Sequence, residues 1–383
     1  MLKQRKSTIC FILFLSIFFI CLMGNFTFSS EASEQLIPQI RSNLNSKKIY
    51  TKKKQLKLTL QYAAEQDVIR YTLDGSQPKK TSLIYRAPVK LKKTTVVKAC
   101  VYRGKKRCSK VYRWKIHIKR PWKITQYADR SGSQAMFYTL CSPTGGLIVV
   151  DGGTVGNAAY VRKIIKEKGG VVDAWFLTHP HADHIGAFNQ IYPDPQGITI
   201  KKIYDTPIDY QYYDTLDQSW DEIGVYANYL NLIKGDHRVH HLNKGDQITV
   251  GSLTIKVLNS YNDEVKQLTK DICNDASLVL KFSNAKEHMI FCGDAHSKSI
   301  AKYLKKTWKK ELKTTYVQTG HHGNNSFPFF LYRYMKPEAA FLDAPQWLID
   351  GEQYSAKELL SRFHEKKVTT YDYRTAPNEI TLK

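Results

Sequence analysis

The chain has 383 residues, 42% of them hydrophobic and 24% charged, and a formal net charge of +24. That length permits two or three domains. Five cysteines lie beyond residue 32 (Cys100, Cys108, Cys141, Cys273 and Cys292), and an odd number excludes a fully paired disulfide framework within one chain.

The chain opens on a targeting pattern. Lys3, Arg5 and Lys6 are basic, no charge occurs from Ser7 through Ser30, and Ile9 to Met23 is apolar. Ser30-Glu31-Ala32 offers a small-x-small cleavage site, so residues 1–32 read as a signal peptide and the protein as secreted or cell-surface associated. The uncharged run is also long enough to span a bilayer, which makes an uncleaved N-terminal membrane anchor the alternative. Either form excludes a cytosolic role.

Residues 35–122 hold 24 Lys and Arg against Glu65, Asp67 and Asp74, whereas residues 123–383 are nearly neutral. The front segment therefore carries the field. Its expected partner is an anionic cell-wall polymer such as teichoic acid, an anionic membrane surface, or nucleic acid. The alternative is a generically basic, solubilising surface. No protein partner can be inferred. Short alternating runs (Leu56 to Leu60, Ile69 to Leu73, Leu83 to Tyr85, Val89 to Leu91, Thr94 to Tyr102, Lys110 to Ile118) predict a small β-sandwich over residues 47–119. Cys100 and Cys108 flank a basic hairpin tip and either bridge it or stay free. The stretch Ile69 to Tyr112, with Tyr71-Thr72-Leu73-Asp74-Gly75-Ser76-Gln77-Pro78, resembles the chitobiase/β-hexosaminidase carboxy-terminal-type module. That resemblance implies an immunoglobulin-like accessory domain, acting as a surface tether or a spacer.

Pro121-Trp122 opens a second domain, residues 121–383. Strands are predicted at Trp122 to Tyr127, Ala135 to Cys141 and Leu147 to Val150, the last closed by Asp151-Gly152-Gly153. Asn157 to Lys168 has helical spacing and ends at Gly169-Gly170. The strand Val171 to Leu177 then delivers Thr178-His179-Pro180-His181-Ala182-Asp183-His184. Four metal-capable side chains fall within six residues at a strand end, and imidazole with carboxylate suits zinc.

This H-x-H-x-D-H pattern resembles the metallo-β-lactamase fold superfamily. The resemblance implies a mixed α/β domain, a four-layer αββα sandwich over roughly 123–383, with two bound ions, Zn2+ or alternatively Mn2+. It makes Asp151 a support behind the metal-binding loop, a role that carboxylates behind ligating imidazoles commonly fill.

Residues 205–235 crowd Tyr210, Tyr212, Tyr213, Trp220, Tyr226 and Tyr229. Either an amphipathic helix from Trp220 to Ile233 uses its aromatics as core, or Tyr212, Tyr213 and Trp220 wall a substrate site. His237, His240 and His241 read as ordinary strand-end residues. Ser277 to Phe282 and His288 to Cys292 form a predicted strand pair ending at Gly293-Asp294, with Cys292 packed behind. The resemblance makes Asp294 the carboxylate that bridges both ions. Asn274-Asp275-Ala276-Ser277-Leu278-Val279-Leu280 and Gly320-His321-His322-Gly323 resemble the ComEC subgroup. Where most of the superfamily has a metal-binding His, this chain has Asn274 and Asp275.

The implied arrangement puts His179 and His181 on one ion and Asp183, His184 and His321 on the other. Asn274 or Asp275 supplies an extra oxygen. Asp183, Asp294 and His322 carry the catalytic roles, and His296 is either a supporting group or an exposed helix-start residue. Outer strands (Pro337 to Leu342, Lys367 to Tyr371) and a helix (Ser355 to Lys366) complete the second half. The expected activity is metal-dependent hydrolysis of a phosphodiester at the cell envelope. The alternatives are an extracellular nuclease, a carboxylic-ester or lactam hydrolase, and a surface-binding protein with a decayed site.

Overall fold

A computed structural model describes residues 36–216 and 218–383. The expected targeting segment, residues 1–32, lies outside the described residues. Among the described residues no helix is long and apolar enough to cross a membrane.

Residues 121–383 build two seven-stranded sheets. In spatial order the first runs Val239–His241, Ile203–Asp205, Ala174–Phe176, Leu147–Asp151, Phe137–Cys141, Trp122–Gln126 and Asn378–Leu382. The second runs Gln247–Val250, Leu253–Asn259, Val279–Ser283, His288–Phe291, Tyr316–Gln318, Ala339–Phe341 and Thr369–Tyr371. Central strands such as Leu147–Asp151 are buried at every position, as apolar runs covered on both faces must be. One face of each sheet meets the other sheet: Tyr138, Ile148, Val150 and Phe176 pack with Leu280, Phe282, Phe291 and Phe341. Phe291 meets Tyr138 and Phe282 edge-on at 5.0 and 5.2 Å. Phe291→Ala is therefore expected to cost about 3–5 kcal/mol, read as a lowered urea midpoint.

Helices cover the outer faces. Ala158–Glu167, Ala182–Ile191 and Ile223–Ile233 pack with the first sheet, and Lys298–Trp308, Phe329–Met335 and Ala356–Glu365 with the second. The result is the expected αββα sandwich. Several details differ from the sequence reading. The run Val171 to Leu177 divides at Asp173: Val171–Val172 pairs with Thr199–Ile200, and only Ala174–Phe176 joins the large sheet. Trp220 precedes its helix, which starts at Ile223. The terminal strand Asn378–Leu382 pairs antiparallel with Trp122–Gln126, and the short strand carried no strong pattern of its own.

The front module is a β-sandwich. Its largest sheet centres on Thr95–Arg103, paired with Asp67–Thr72 and Tyr112–Ile118. Its core includes Ile40 and Leu44, and Gln39–Ser42 pairs with Leu58–Gln61, so the module takes in residues ahead of 47. Among the described residues, Cys100 and Cys108 form no disulfide. Cys100 is buried between strands, and Cys108 lies 3.8 Å from a carboxylate oxygen of Asp67.

Candidate metal centre

The central strands of both sheets end at one edge, and their following loops converge there. The first loop is held by Asp151, which adopts a left-handed φ of 52° at the end of its strand. Its carboxylate accepts from the Thr178 backbone N–H at 2.8 Å and from the Thr178 hydroxyl at 2.7 Å. It also lies 2.8 Å from His184 Nδ1. Asp151 thus sits behind the loop that carries the histidines. The helix Ala182–Ile191 begins directly after His181 and presents Asp183 and His184 on its first turn.

These hydrogen bonds determine which ring nitrogens are bare. Because Asp151 takes the His184 Nδ1 proton, His184 Nε2 keeps its lone pair. His322 Nδ1 lies 3.1 Å from the Asp343 carbonyl, which can only accept, so His322 Nε2 is bare as well. These two Nε2 atoms face each other at 3.3 Å. The same logic applies next door. His181 Nε2 lies 2.7 Å from the Asp221 carboxylate, leaving Nδ1 bare, and that atom lies 3.1 Å from His179 Nε2. His179 Nδ1 donates to the Thr178 hydroxyl, whose own proton goes to Asp151. Two pairs of lone-pair nitrogens therefore confront each other inside a buried site.

Carboxylates join the pairs. Asp294 Oδ1 is 3.2 Å from His184 Nε2, and Asp294 Oδ2 is 3.3 Å from His322 Nε2. Asp183 Oδ2 is 3.0 Å from His322 Nε2. Ligand atoms of His179, His184 and Asp294 lie within 4.8 Å of one another, as do those of Asp183, His184 and His322. Asp294 thus stands between the two sets. Among the described residues, the buried Oδ1 atoms of Asp294 and Asn274 have no hydrogen-bond partner. Facing lone pairs, unpartnered buried oxygens and adjacent carboxylates repel unless positive charge lies among them. This donor set fits two divalent cations: one at His179 and His181, one among Asp183, His184 and His322, with Asp294 available to both and Asn274 at the wall of the same cleft.

Protons can meet part of the same demand. Burial works against a charged His322, but Asp294 and Asp183 overcome it and raise its pKa to about 10. Burial likewise opposes charge on His184, and Asp294, Asp183 and Asp151 reverse this, holding its pKa well above the usual range. Burial pushes the Asp294 carboxyl up, and His322 and His184 more than compensate, holding it well below the usual carboxylate range.

His322, not His321, faces the cluster, which corrects the sequence expectation. Both residues take positive φ, 52° and 54°, in the turn after Tyr316–Gln318. Gly320 is packed so closely that a Cβ would sit 2.0 Å from the Ala295 carbonyl oxygen. The turn sends His322 inward, 1% exposed, and leaves His321 on the cleft wall with Nδ1 2.7 Å from the Asn324 carbonyl. Asp275 is not among the clustered ligand atoms, although its buried Oδ2 has no hydrogen-bond partner among the described residues. Its Oδ1 accepts from the backbone N–H groups of His296 and Ser297, so it anchors the start of the next helix. His296 stacks on His321 at 5.0 Å, with Nδ1 3.2 Å from the Asp294 carbonyl. It lines the cleft beside the ligands.

The aromatic insertion divides. Tyr213 is buried in the core and Tyr212 packs under Lys266, so neither lines the cleft, contrary to that reading. Trp220 does line it, 59% exposed. The cleft has a volume of about 790 Å³ and runs over Asp183, Asn274 and Asp294. His241 pairs with Asp205 at 2.5 Å, at the C-terminal end of the first sheet's edge strand.

Three supporting residues escaped the sequence reading. Asp221 orients His181 and itself accepts from the Gln218 backbone N–H at 2.9 Å. Cys273 lies beside both, within 4.8 Å. Asp343 follows an apolar strand, as Asp151 and Asp294 do, and that repeated pattern was the available signal. Its buried carboxyl is pushed up to about 6 by burial, although Gln126, Tyr138 and Gln318 donate to it. Asp221→Ala removes the acceptor that sets the His181 tautomer. Zinc affinity at the first position should fall about 10–100-fold in competition with a chromophoric chelator. Unchanged affinity would mean that Asp221 serves only the loop.

The family model described as the metallo-beta-lactamase superfamily matches residues 129–196, and one described as Fn3 associated matches residues 58–115. No protein with a curated description matches the chain. Among solved structures, the metallo-beta-lactamase fold protein YhfI from Bacillus subtilis is 11% identical, over 68% of this chain and 99% of its own, with a TM-score of 0.42. CmlA, a diiron beta-hydroxylase from Streptomyces venezuelae, is 12% identical, over 68% of this chain and 54% of its own, at 0.41. A metallo-beta-lactamase from Staphylococcus aureus is 20% identical, over 50% of this chain and 52% of its own, at 0.32.

Proposed function

We propose that this chain is an exported, metal-dependent hydrolase of phosphodiesters in an envelope or extracellular polyanion. The observation that carries the hydrolase reading is the joined pair of lone-pair sets, His179 with His181 and His184 with His322, buried beneath an open cleft that His181, Asp183 and Asp294 line. Bound divalent cations, Zn2+ or Mn2+, supply Lewis acidity and acidify a water. The chain's own groups do the rest. Asp183 and Asp294 are the two carboxylates of the donor set, with Asp151 and Asp221 behind the imidazoles, and cations held there would offer a phosphate oxygen direct Lewis-acid contact.

His321 is positioned to accept a proton at the cleft wall. Its Nδ1 is engaged by Asn324, and burial holds its pKa below the ordinary value, so Nε2 is bare at neutral pH. Trp220 offers a flat face for the part of the substrate flanking the phosphate. The motifs at 274–280 and 320–323 support a place near the ComEC-like subgroup. The basic front module, read as chitobiase-like, supports retention on a polyanion at the cell surface. The leader pattern supports export.

The test is hydrolysis of bis-p-nitrophenyl phosphate and p-nitrophenyl phosphocholine with Zn2+ or Mn2+. Turnover of either diester supports the reading. Absence of turnover by zinc-loaded protein, with hydrolysis of p-nitrophenyl acetate or a lactam, would overturn the phosphodiester assignment. Trp220→Ala should raise KM several-fold while leaving kcat near its original value, since an exposed cleft wall contributes binding and touches no reacting atom. A large fall in kcat would place the indole closer to the chemistry.

A further inference from the structure

A second cleft, of about 600 Å³, lies where the front module meets the catalytic domain. From the module come Lys92, Lys93, Lys115, His117 and Lys119, and from the linker comes Arg120. Among the described residues no Asp or Glu lines it. Among the described residues, none of these lysines and Arg120 forms an ion pair with a carboxylate, although other surface lysines do so. Like charges gathered around a concave space repel one another unless an anion is shared among them. His117 shows the effect: burial lowers its pKa, and Lys115 and Lys119 lower it further.

The opposite wall is built of hydroxyls. Ser142, Thr144, Thr249, Ser252 and Thr254 line it, all from turns and strand ends of the catalytic domain. Ser252 accepts from the Trp122 indole N–H at 2.8 Å, which leaves its own proton to donate. Arg120 is held in place by its Nη1 contact to the Pro143 carbonyl at 3.3 Å, and its own carbonyl accepts from Asn284 at 3.0 Å. Cations on one side and neutral donors on the other suit an oxyanion with several acceptor oxygens.

The cleft is remote from the metal centre. The strand Leu147–Asp151 leads from the Ser142–Thr144 turn to Asp151, beneath the ligands, a path of about 15 Å or more. We infer that this inter-domain cleft is a separate binding site for a phosphate-bearing polyanion, gripping one segment of a chain whose other segments reach the cleft of the metal centre. The inference rests on the polyanion reading of the front module and is independent of catalysis.

The test is calorimetric binding of inorganic tripolyphosphate and of a short oligothymidylate to the full chain at low and moderate salt. Three proteins are compared with the unaltered one: Lys92→Gln/Lys93→Gln/Lys115→Gln, a control Lys52→Gln/Lys53→Gln/Lys57→Gln with the same charge change on exposed lysines outside the cleft, and Asp294→Ala. The expected result is about tenfold or greater weakening, with a shallower salt dependence, in the cleft variant only. Tighter binding of tripolyphosphate would identify a free polyphosphate, and of oligothymidylate a phosphodiester chain. Equal weakening in both lysine variants would reduce the cleft to general surface charge and overturn the proposal. So would loss of binding in Asp294→Ala alone, which would put the anion at the metal centre, or no binding by the unaltered protein. Hydrolysis retained by the cleft variant separates failure here from failure of the hydrolase reading.

Discussion

Asp294→Ala should lower metal-dependent hydrolysis by about 10³-fold or more, the equivalent of at least about 4 kcal/mol of transition-state stabilisation. Asp294 is the carboxylate shared by the two nitrogen pairs, 3.2 Å from His184 and 3.3 Å from His322. Its loss therefore weakens both positions at once. Metal per chain, measured by mass spectrometry after dialysis, should fall with activity. His321→Ala provides the contrast: metal content should be retained, because His321 faces the cleft while His322 occupies the cluster. If Asp294→Ala keeps full turnover and full metal content, the shared-carboxylate arrangement is wrong.

The second large effect is on stability in chelator. His322, buried among carboxylates, titrates near 10 when folded, against an unfolded value of about 6.5. A pKa raised by folding gives stability that is complete below the unfolded value and disappears as pH rises through the folded one. His184 is shifted in the same direction. Protein held in chelator should therefore lose melting temperature progressively from about pH 6.5 toward pH 10. Zinc-loaded protein should lose far less, because cations occupy the same lone pairs and bind more strongly as protons leave. Lys and Tyr groups that titrate in this range are common to both samples. Identical pH profiles for the two forms would contradict this account of the cluster.

Much of this arrangement was legible in the sequence because the ligands sit at strand ends. A buried strand is a visible apolar run, and the polar residue that stops it is visible too: Asp151, His179 and Asp294 all follow such runs. The choice between His321 and His322 was not legible. It depends on two consecutive left-handed residues behind Gly320, and neighbouring side chains that differ only in backbone turn look alike in a string of letters. Asn274 and Asp275 posed the same problem, resolved by Asp275 anchoring the helix start at His296 and Ser297. Asp221 was hidden because it reaches His181 across 40 residues, from a loop that helical spacing had absorbed into the following helix. In the aromatic insertion, composition could not separate Tyr213 from Trp220. Packing separated them, burying one and exposing the other.

The pairing of Trp122–Gln126 with Asn378–Leu382 has a consequence for how the protein is made. The first sheet of the catalytic domain is completed only by its last strand, through contacts spanning about 260 residues, Trp122 opposite Leu382. Such distant closure is slow compared with local pairing. The front module needs only its own strands and can fold while the rest is being synthesised. The first sheet of the catalytic domain must wait for residues 378–382. During that interval the growing polypeptide already carries a folded, highly basic head, and the metal ligands come together late.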